Sequence, residues 1–188
     1  MPAPGACDAD VLLIDGRSGS GKTRLAACVA DAWRAAGREP HVLRVEDLYP
    51  GWDGLAAGSR DVASALAAEG YRRYDWAAGR FGERVRLARL LPLVIEGCGA
   101  LTRENLAAAR DWASRAAGAA PAGRTRTGAP EPVIRSVWLE CPEPLRRARA
   151  LARDGDAYAP HWERWAAQED AHYAAVRPWE LADETVRS

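Results

Sequence analysis

Short apolar runs alternate along the chain with longer amphipathic segments. Val11-Leu12-Leu13-Ile14 is a continuous apolar run, as expected of a strand buried on both faces. Between Thr23 and Ala36, Leu25, Cys28, Val29, Ala32 and Trp33 recur at helical spacing, and Gly37 follows where such a helix would stop. His41 to Val45 predicts a second strand that enters the turn-rich segment Glu46-Asp47-Leu48-Tyr49-Pro50-Gly51. Ser59 to Glu69 predicts a helix with Ser59 as N-cap and Gly70 as its end. Leu91 to Ile95 predicts another buried strand, Thr102 to Ala116 a helix, and Val133 to Leu139 a fourth strand. Pro144 to Arg153 and about Pro160 to Val176 predict two further helices, separated by the breaker Asp154-Gly155-Asp156. Ala182 to Val186 predicts a short last strand.

Strands that alternate with helices imply a parallel sheet covered on both faces, an α/β architecture. Two segments resist the pattern. Tyr71 to Arg89 is rich in aromatics and arginines and contains Gly79 and Gly82; its plainest reading is a helical hairpin whose tryptophan packs into the core. Residues 117–132 are dense in Ala, Gly, Pro and Arg without periodicity and read as a flexible surface loop.

Composition narrows the function classes. The 188 residues are enough for one domain, and 48% apolar with 28% charged residues describes a soluble globular chain. The formal net charge is zero, from 26 basic and 26 acidic residues. Such a balance gives no bulk electrostatic reason to bind nucleic acid or an anionic membrane. Met1 to Asp10 lacks a basic region followed by an apolar one, so no signal peptide is expected, and no run approaches the length of a membrane span. Cys7, Cys28, Cys98 and Cys141 form no metal-like cluster and imply no disulfide, which fits a cytoplasmic location.

The chemistry is concentrated in one motif. Gly16-Arg17-Ser18-Gly19-Ser20-Gly21-Lys22-Thr23 matches G-x-x-x-x-G-K-[ST] without a mismatch, between a predicted strand and a predicted helix. Backbone amides of Ser18, Gly19, Ser20 and Gly21 would turn inward on an anion, assisted by the positive end of the helix. Lys22 would reach the β- and γ-phosphates, and the Thr23 hydroxyl would ligate Mg²⁺. The chain holds 25 arginines and a single lysine, Lys22. The exception falls where a compact ammonium on a flexible stem is needed. The absence of a second lysine also removes the N-K-x-D guanine-reading motif of Ras-type GTPases.

Four landmarks together resemble the uridine kinase and phosphoribulokinase branch of P-loop kinases, closest to uridine-kinase-like proteins of high-GC bacteria. They are Gly16–Thr23, the acidic segment Val45-Glu46-Asp47-Leu48-Tyr49, the strand end Leu93-Val94-Ile95-Glu96-Gly97, and the arginine helix with Arg146, Arg149 and Arg153-Asp154. The resemblance implies a single P-loop NTPase domain over residues 1–188. It would be a three-layer sandwich with about five parallel strands and a small helical lid near residues 153–162. It implies ATP and Mg²⁺ as cofactors and a nucleoside-like small-molecule acceptor, with oligomeric state open and a homodimer among the options.

By the same resemblance either Glu46 or Asp47 supplies the base that orients the acceptor hydroxyl. Glu96 would contact Mg²⁺ or the acceptor. Arg149 would touch the nucleotide, and Arg153 would stabilise the transferred phosphoryl group from the lid. Arg146 reads instead as part of an exposed basic face. Tyr49, Arg72, Tyr74, Asp75 and Arg80 are expected around the acceptor, with Arg73 and Trp76; Trp52, Trp162 and Trp165 read as packing residues. Two other readings stay open: a nucleoside monophosphate kinase whose Arg72 and Arg73 clamp an acceptor phosphate, and a nucleotide-binding switch or accessory ATPase acting on a protein partner.

Overall fold

A computed structural model describes residues 6–118 and 131–188. Most of the predicted surface loop, 119–130, lies outside the described residues. Residues 117–118 complete a helix instead of opening a loop.

The central sheet has five strands, all parallel: β1 (Val11–Gly16), β2 (His41–Arg44), β5 (Leu93–Glu96), β6 (Ile134–Glu140) and β7 (Glu184–Arg187), in the order β2-β5-β1-β6-β7. β1 lies between β5 and β6, with Ile14 opposite Glu96 on one side and Val137 on the other. This central place is why every β1 residue is buried and why its sequence reads as an unbroken apolar run. Leu12, Ile14 and Val94 turn to one face, where α1 (Lys22–Ala35) covers them with Ala26, Val29 and Trp33. Leu13, Leu43 and Ile95 turn to the other face. There α2 (Leu55–Ala67), α3 (Arg103–Gly118) and α5 (Trp162–Val176) close a larger core containing Trp112, Trp162 and Trp165.

Helix ends follow local chemistry. At the end of α1 the Gly37 amide donates to the Arg34 carbonyl and the Arg38 amide to that of Trp33, a Schellman closure that needs the positive φ of Gly37. Thr102 Oγ1 accepts the Asn105 amide at 3.0 Å and so caps α3. Ser59, expected as an N-cap, instead lies within α2, which starts at Leu55; its buried hydroxyl donates to the Gly99 carbonyl.

The aromatic segment is a β-hairpin, not a helical one. β3 (Gly70–Asp75) and β4 (Arg80–Arg86) pair antiparallel outside the main sheet. Asp75 Oδ1 accepts the amides of Ala77 and Ala78 and closes the turn with Gly79 at positive φ. The hairpin is largely exposed, so no apolar period marked it in the sequence. The last helical pair is α4 (Glu143–Asp154) and α5, joined by two 3-10 turns at Gly155–Ala157 and Ala159–His161. Among the described residues no helix is long and apolar enough to cross a membrane.

Candidate functional site

The site lies at the C-terminal ends of β1, β2 and β5, where open α/β sheets collect ligands. A cavity of about 640 Å³ opens there. The phosphate loop bounds it on one side. The 3-10 turn Val45–Leu48, the tip of the hairpin and the α4–α5 connection bound the other.

The loop runs from β1 into α1, with Gly16, Gly19 and Gly21 all at positive φ. A side chain at Gly19 would also collide with the backbone carbonyl of Arg146. Lys22 folds back over the loop, its ammonium donating to the Gly16 carbonyl at 2.7 Å and the Arg17 carbonyl at 3.1 Å, with Cys98 Sγ at 3.3 Å. Burial alone would lower the Lys22 pKa. The carboxylates of Glu169, Asp15 and Glu96 around it outweigh burial and raise it, so the ammonium is held charged. Burial pushes the Cys98 thiol up to about 12, so it stays protonated beside the lysine. Thr23 Oγ1 lies 3.3 Å from both Glu96 oxygens. Glu96 is nearly fully buried at the end of β5, with Arg44 Nε 3.9 Å from Oε1. Burial raises its pKa, Lys22 lowers it and the neighbouring Glu46 raises it again.

The two acidic candidates differ in what they touch. Asp47 Oδ2 accepts the Tyr71 hydroxyl at 2.9 Å and stands 3.4 Å from Arg73 Nε, so it ties the 3-10 turn to β3. Glu46 is exposed, borders the cavity, and has no hydrogen bond or ion pair among the described residues. Tyr49 is buried; its hydroxyl donates to the Cys98 carbonyl at 2.7 Å and its ring meets Trp165 edge-on.

The structure brings Lys22, Thr23, Glu46, Asp47, Tyr49, Glu96 and Arg153 to this one cavity, and leaves other expected residues outside it. Arg72 donates to the Phe81 and Gly82 carbonyls across the hairpin. Tyr74 packs between Trp76 and Phe81, Asp75 closes the hairpin turn, and Arg80 is exposed at the start of β4. Arg149 points to Cys141 Sγ and Ser188. Arg153 borders the cavity but is held bidentate by Asp154, at 2.8 and 2.6 Å.

Other residues enter that the sequence read differently or did not mark. Arg146 is buried, not part of an exposed face: Nη1 donates to the Ser18 carbonyl at 3.0 Å and lies 3.6 Å from Glu169. Glu169 is buried beneath the loop and accepts the Ser18 amide at 2.6 Å. Trp52, expected to serve packing alone, borders the cavity with Trp76; it stacks on Tyr158 and His161 and meets Trp76 at 4.8 Å. Asp15 ends β1 with donors from Gly16, Gly99, Leu101 and Tyr173, and burial raises its carboxyl to about 6 against those bonds.

This architecture is an α/β P-loop NTPase fold. It is similar to that of a possible uridine kinase from Bacillus stearothermophilus, at 19% identity and a TM-score of 0.54, covering 94% of this chain and 88% of that one. It is likewise similar to a candidate fructose transport system kinase from Silicibacter sp. TM1040, at 21% identity and a TM-score of 0.55, covering 95% and 89%. No family model matches the chain, and no curated protein does. At such identities the likeness describes the fold, and the reaction has to be argued from the residues.

Proposed function

We propose that this protein is an ATP-dependent kinase that transfers the γ-phosphoryl group to a hydroxyl of an uncharged, nucleoside-like small molecule. The observation that carries this reading is the Glu46 carboxylate, which has no partner among the described residues and lines the same cavity as Lys22 and Thr23. A phosphoryl acceptor needs a carboxylate that orients its hydroxyl and takes its proton. Asp47 has its oxygen engaged by Tyr71 and Arg73, so Glu46 is the base and Asp47 positions the turn that carries it.

Amides at the second half of the loop and the Lys22 ammonium would hold the β- and γ-phosphates. Thr23 and Glu96 supply an oxygen donor set that suits Mg²⁺, a hard cation that keeps several waters. When bound there, the metal would offset the charge of the phosphates. Arg153 would stabilise charge on the moving phosphoryl group once released from Asp154. Residues 153–162 would form the lid, since two 3-10 turns there lean on the aromatic wall through Tyr158 and His161.

The acceptor side favours an uncharged molecule. Its wall includes the half-buried Trp52 and the exposed Trp76, Glu46 has no partner among the described residues, and Arg72 and Arg73 are engaged within the hairpin and with Asp47 and Glu83. A nucleoside monophosphate would find Arg72 and Arg73 already engaged, and would have to draw Arg44 from Glu96 or Arg153 from Asp154. ADP release with a panel of nucleosides, nucleoside monophosphates and sugars tests the proposal. Uncharged ring-bearing alcohols should raise the rate well above background hydrolysis. Stimulation by monophosphates alone would overturn the acceptor class, and stimulation by none would overturn the kinase.

A further inference from the structure

The first residues of the phosphate loop are bonded from outside the loop by one face of α5. Trp165, Glu169 and Tyr173 stand at i, i+4 and i+8 on that helix and therefore share a side. The Tyr173 hydroxyl lies 2.8 Å from Asp15 Oδ1 and 3.1 Å from the Gly16 carbonyl. Glu169 Oε2 stands 3.8 Å from the Arg17 guanidinium, which also pairs with Asp170 at 2.6 Å. Glu169 Oε1 accepts the Ser18 amide at 2.6 Å and the Trp165 indole at 3.1 Å.

The carbonyl of the same residue, Ser18, is held from α4. Arg146 Nη1 donates to the Ser18 carbonyl at 3.0 Å and stands 3.6 Å from Glu169 Oε2, while its Nε donates to the Cys141 carbonyl. Both backbone groups of Ser18 therefore end on a single ion pair, with Arg146 at 5% and Glu169 at 1% exposure. Burying two charges is costly, and a well-packed apolar pair of similar volume would usually stabilise the fold as well or better. α5 already packs through Trp162, Trp165 and Tyr173, so stability alone gives no reason for the pair.

We infer that Arg146 and Glu169 are positioning residues for nucleotide binding, fixing the first half of the phosphate loop so that the amides of its second half need no rearrangement to meet phosphate. The inference rests on the reading of Gly16–Thr23 as a nucleotide site. α4 ends, and α5 begins, at a connection whose Ala157 and Tyr158 border the cavity. The pair therefore also links the shape of the loop to the placement of that connection.

Calorimetric titration with Mg·ATP in the absence of acceptor, together with thermal melting, tests the inference. Glu169→Ala and Arg146→Ala should each lower ATP affinity by about tenfold or more, because each removes a charge-assisted bond to Ser18. Both should also lower the melting temperature. The double variant R146M/E169L removes both buried charges together and should recover the melting temperature while keeping the roughly tenfold affinity loss. A purely structural pair predicts that affinity recovers with stability, and ATP binding by the double variant within about twofold of wild type would overturn the inference. Should the double variant not fold, Glu169→Gln against Glu169→Met decides. The glutamine oxygen can still accept the Ser18 amide and should retain affinity that methionine loses; equal affinity in the two overturns the inference. Absence of ATP binding by the wild-type chain would instead overturn the nucleotide-site reading beneath it.

Discussion

The two walls of the cavity are built differently. On the loop side, Lys22, Cys98, Arg146 and Glu169 are buried and bonded to one another or to loop backbone, and the buried Glu96 meets the Thr23 hydroxyl. On the opposite side, Glu46, Trp52 and Trp76 sit on a 3-10 turn, a loop and a hairpin tip, with Trp76 40% exposed. On the proposed function, a loop that receives the same polyphosphate at each turnover gains from a rigid, preorganised frame. An acceptor wall that has to admit and release a variable small molecule is made of surface elements that tolerate change. The difference teaches that substitutions on the loop side should strike ATP binding and chemistry together, whereas those on the acceptor side should separate them.

The largest effect is expected at Lys22. Lys22→Ala should reduce turnover by roughly a thousandfold, given what one preorganised donor contributes to a charged transition state. Lys22→Arg should also be strongly impaired, because the ammonium sits buried among the Gly16 and Arg17 carbonyls and Cys98, where a planar fork does not fit. Steady-state ADP release measures both, and full activity in the arginine variant would remove the argument from the single lysine.

Next comes the acidic pair. Glu46→Gln should lower kcat by at least about a hundredfold with little change in ATP affinity. Asp47→Asn should act mainly through the hairpin it anchors, raising the acceptor KM more than it lowers kcat. The opposite ranking would give Asp47 the role of base. A smaller effect is expected at the aromatic wall: Trp76→Ala should raise the acceptor KM by about two- to tenfold, the worth of one aromatic contact, without changing ATP binding. If ATP binding weakens as much, the division between the walls does not hold.

A separate effect concerns stability and pH, not turnover. The Asp15 carboxyl is raised to about 6 in the fold from an ordinary 3.8, so between these values the folded chain binds more protons than the unfolded one. Stability should therefore fall as pH rises from about 4 to about 6, by up to roughly 3 kcal/mol from this group. Asp15→Asn should flatten that part of the profile in thermal melts taken across this range.

Much of the frame was legible in the sequence because its causes are local. β1 and β5 are buried on both faces and read as apolar runs, and the phosphate loop is one contiguous motif. The hairpin was not legible: its exposed arginines and aromatics carry no period, and only the Asp75 to Gly79 turn marks it. Arg146 and Glu169 were hidden for another reason. Their partner Ser18 lies 128 and 151 residues away, so nothing near them in the chain reports the contact. Trp52 read as a packing residue because a tryptophan beside a turn gives no sign of which cavity it borders.

The most direct measurement follows the terminal phosphate of γ-labelled ATP in the presence of uncharged nucleosides and related alcohols. Label should appear on an organic acceptor, transferred at a rate that collapses in Glu46→Gln. Label appearing only as inorganic phosphate, at one rate with and without every acceptor, would contradict it.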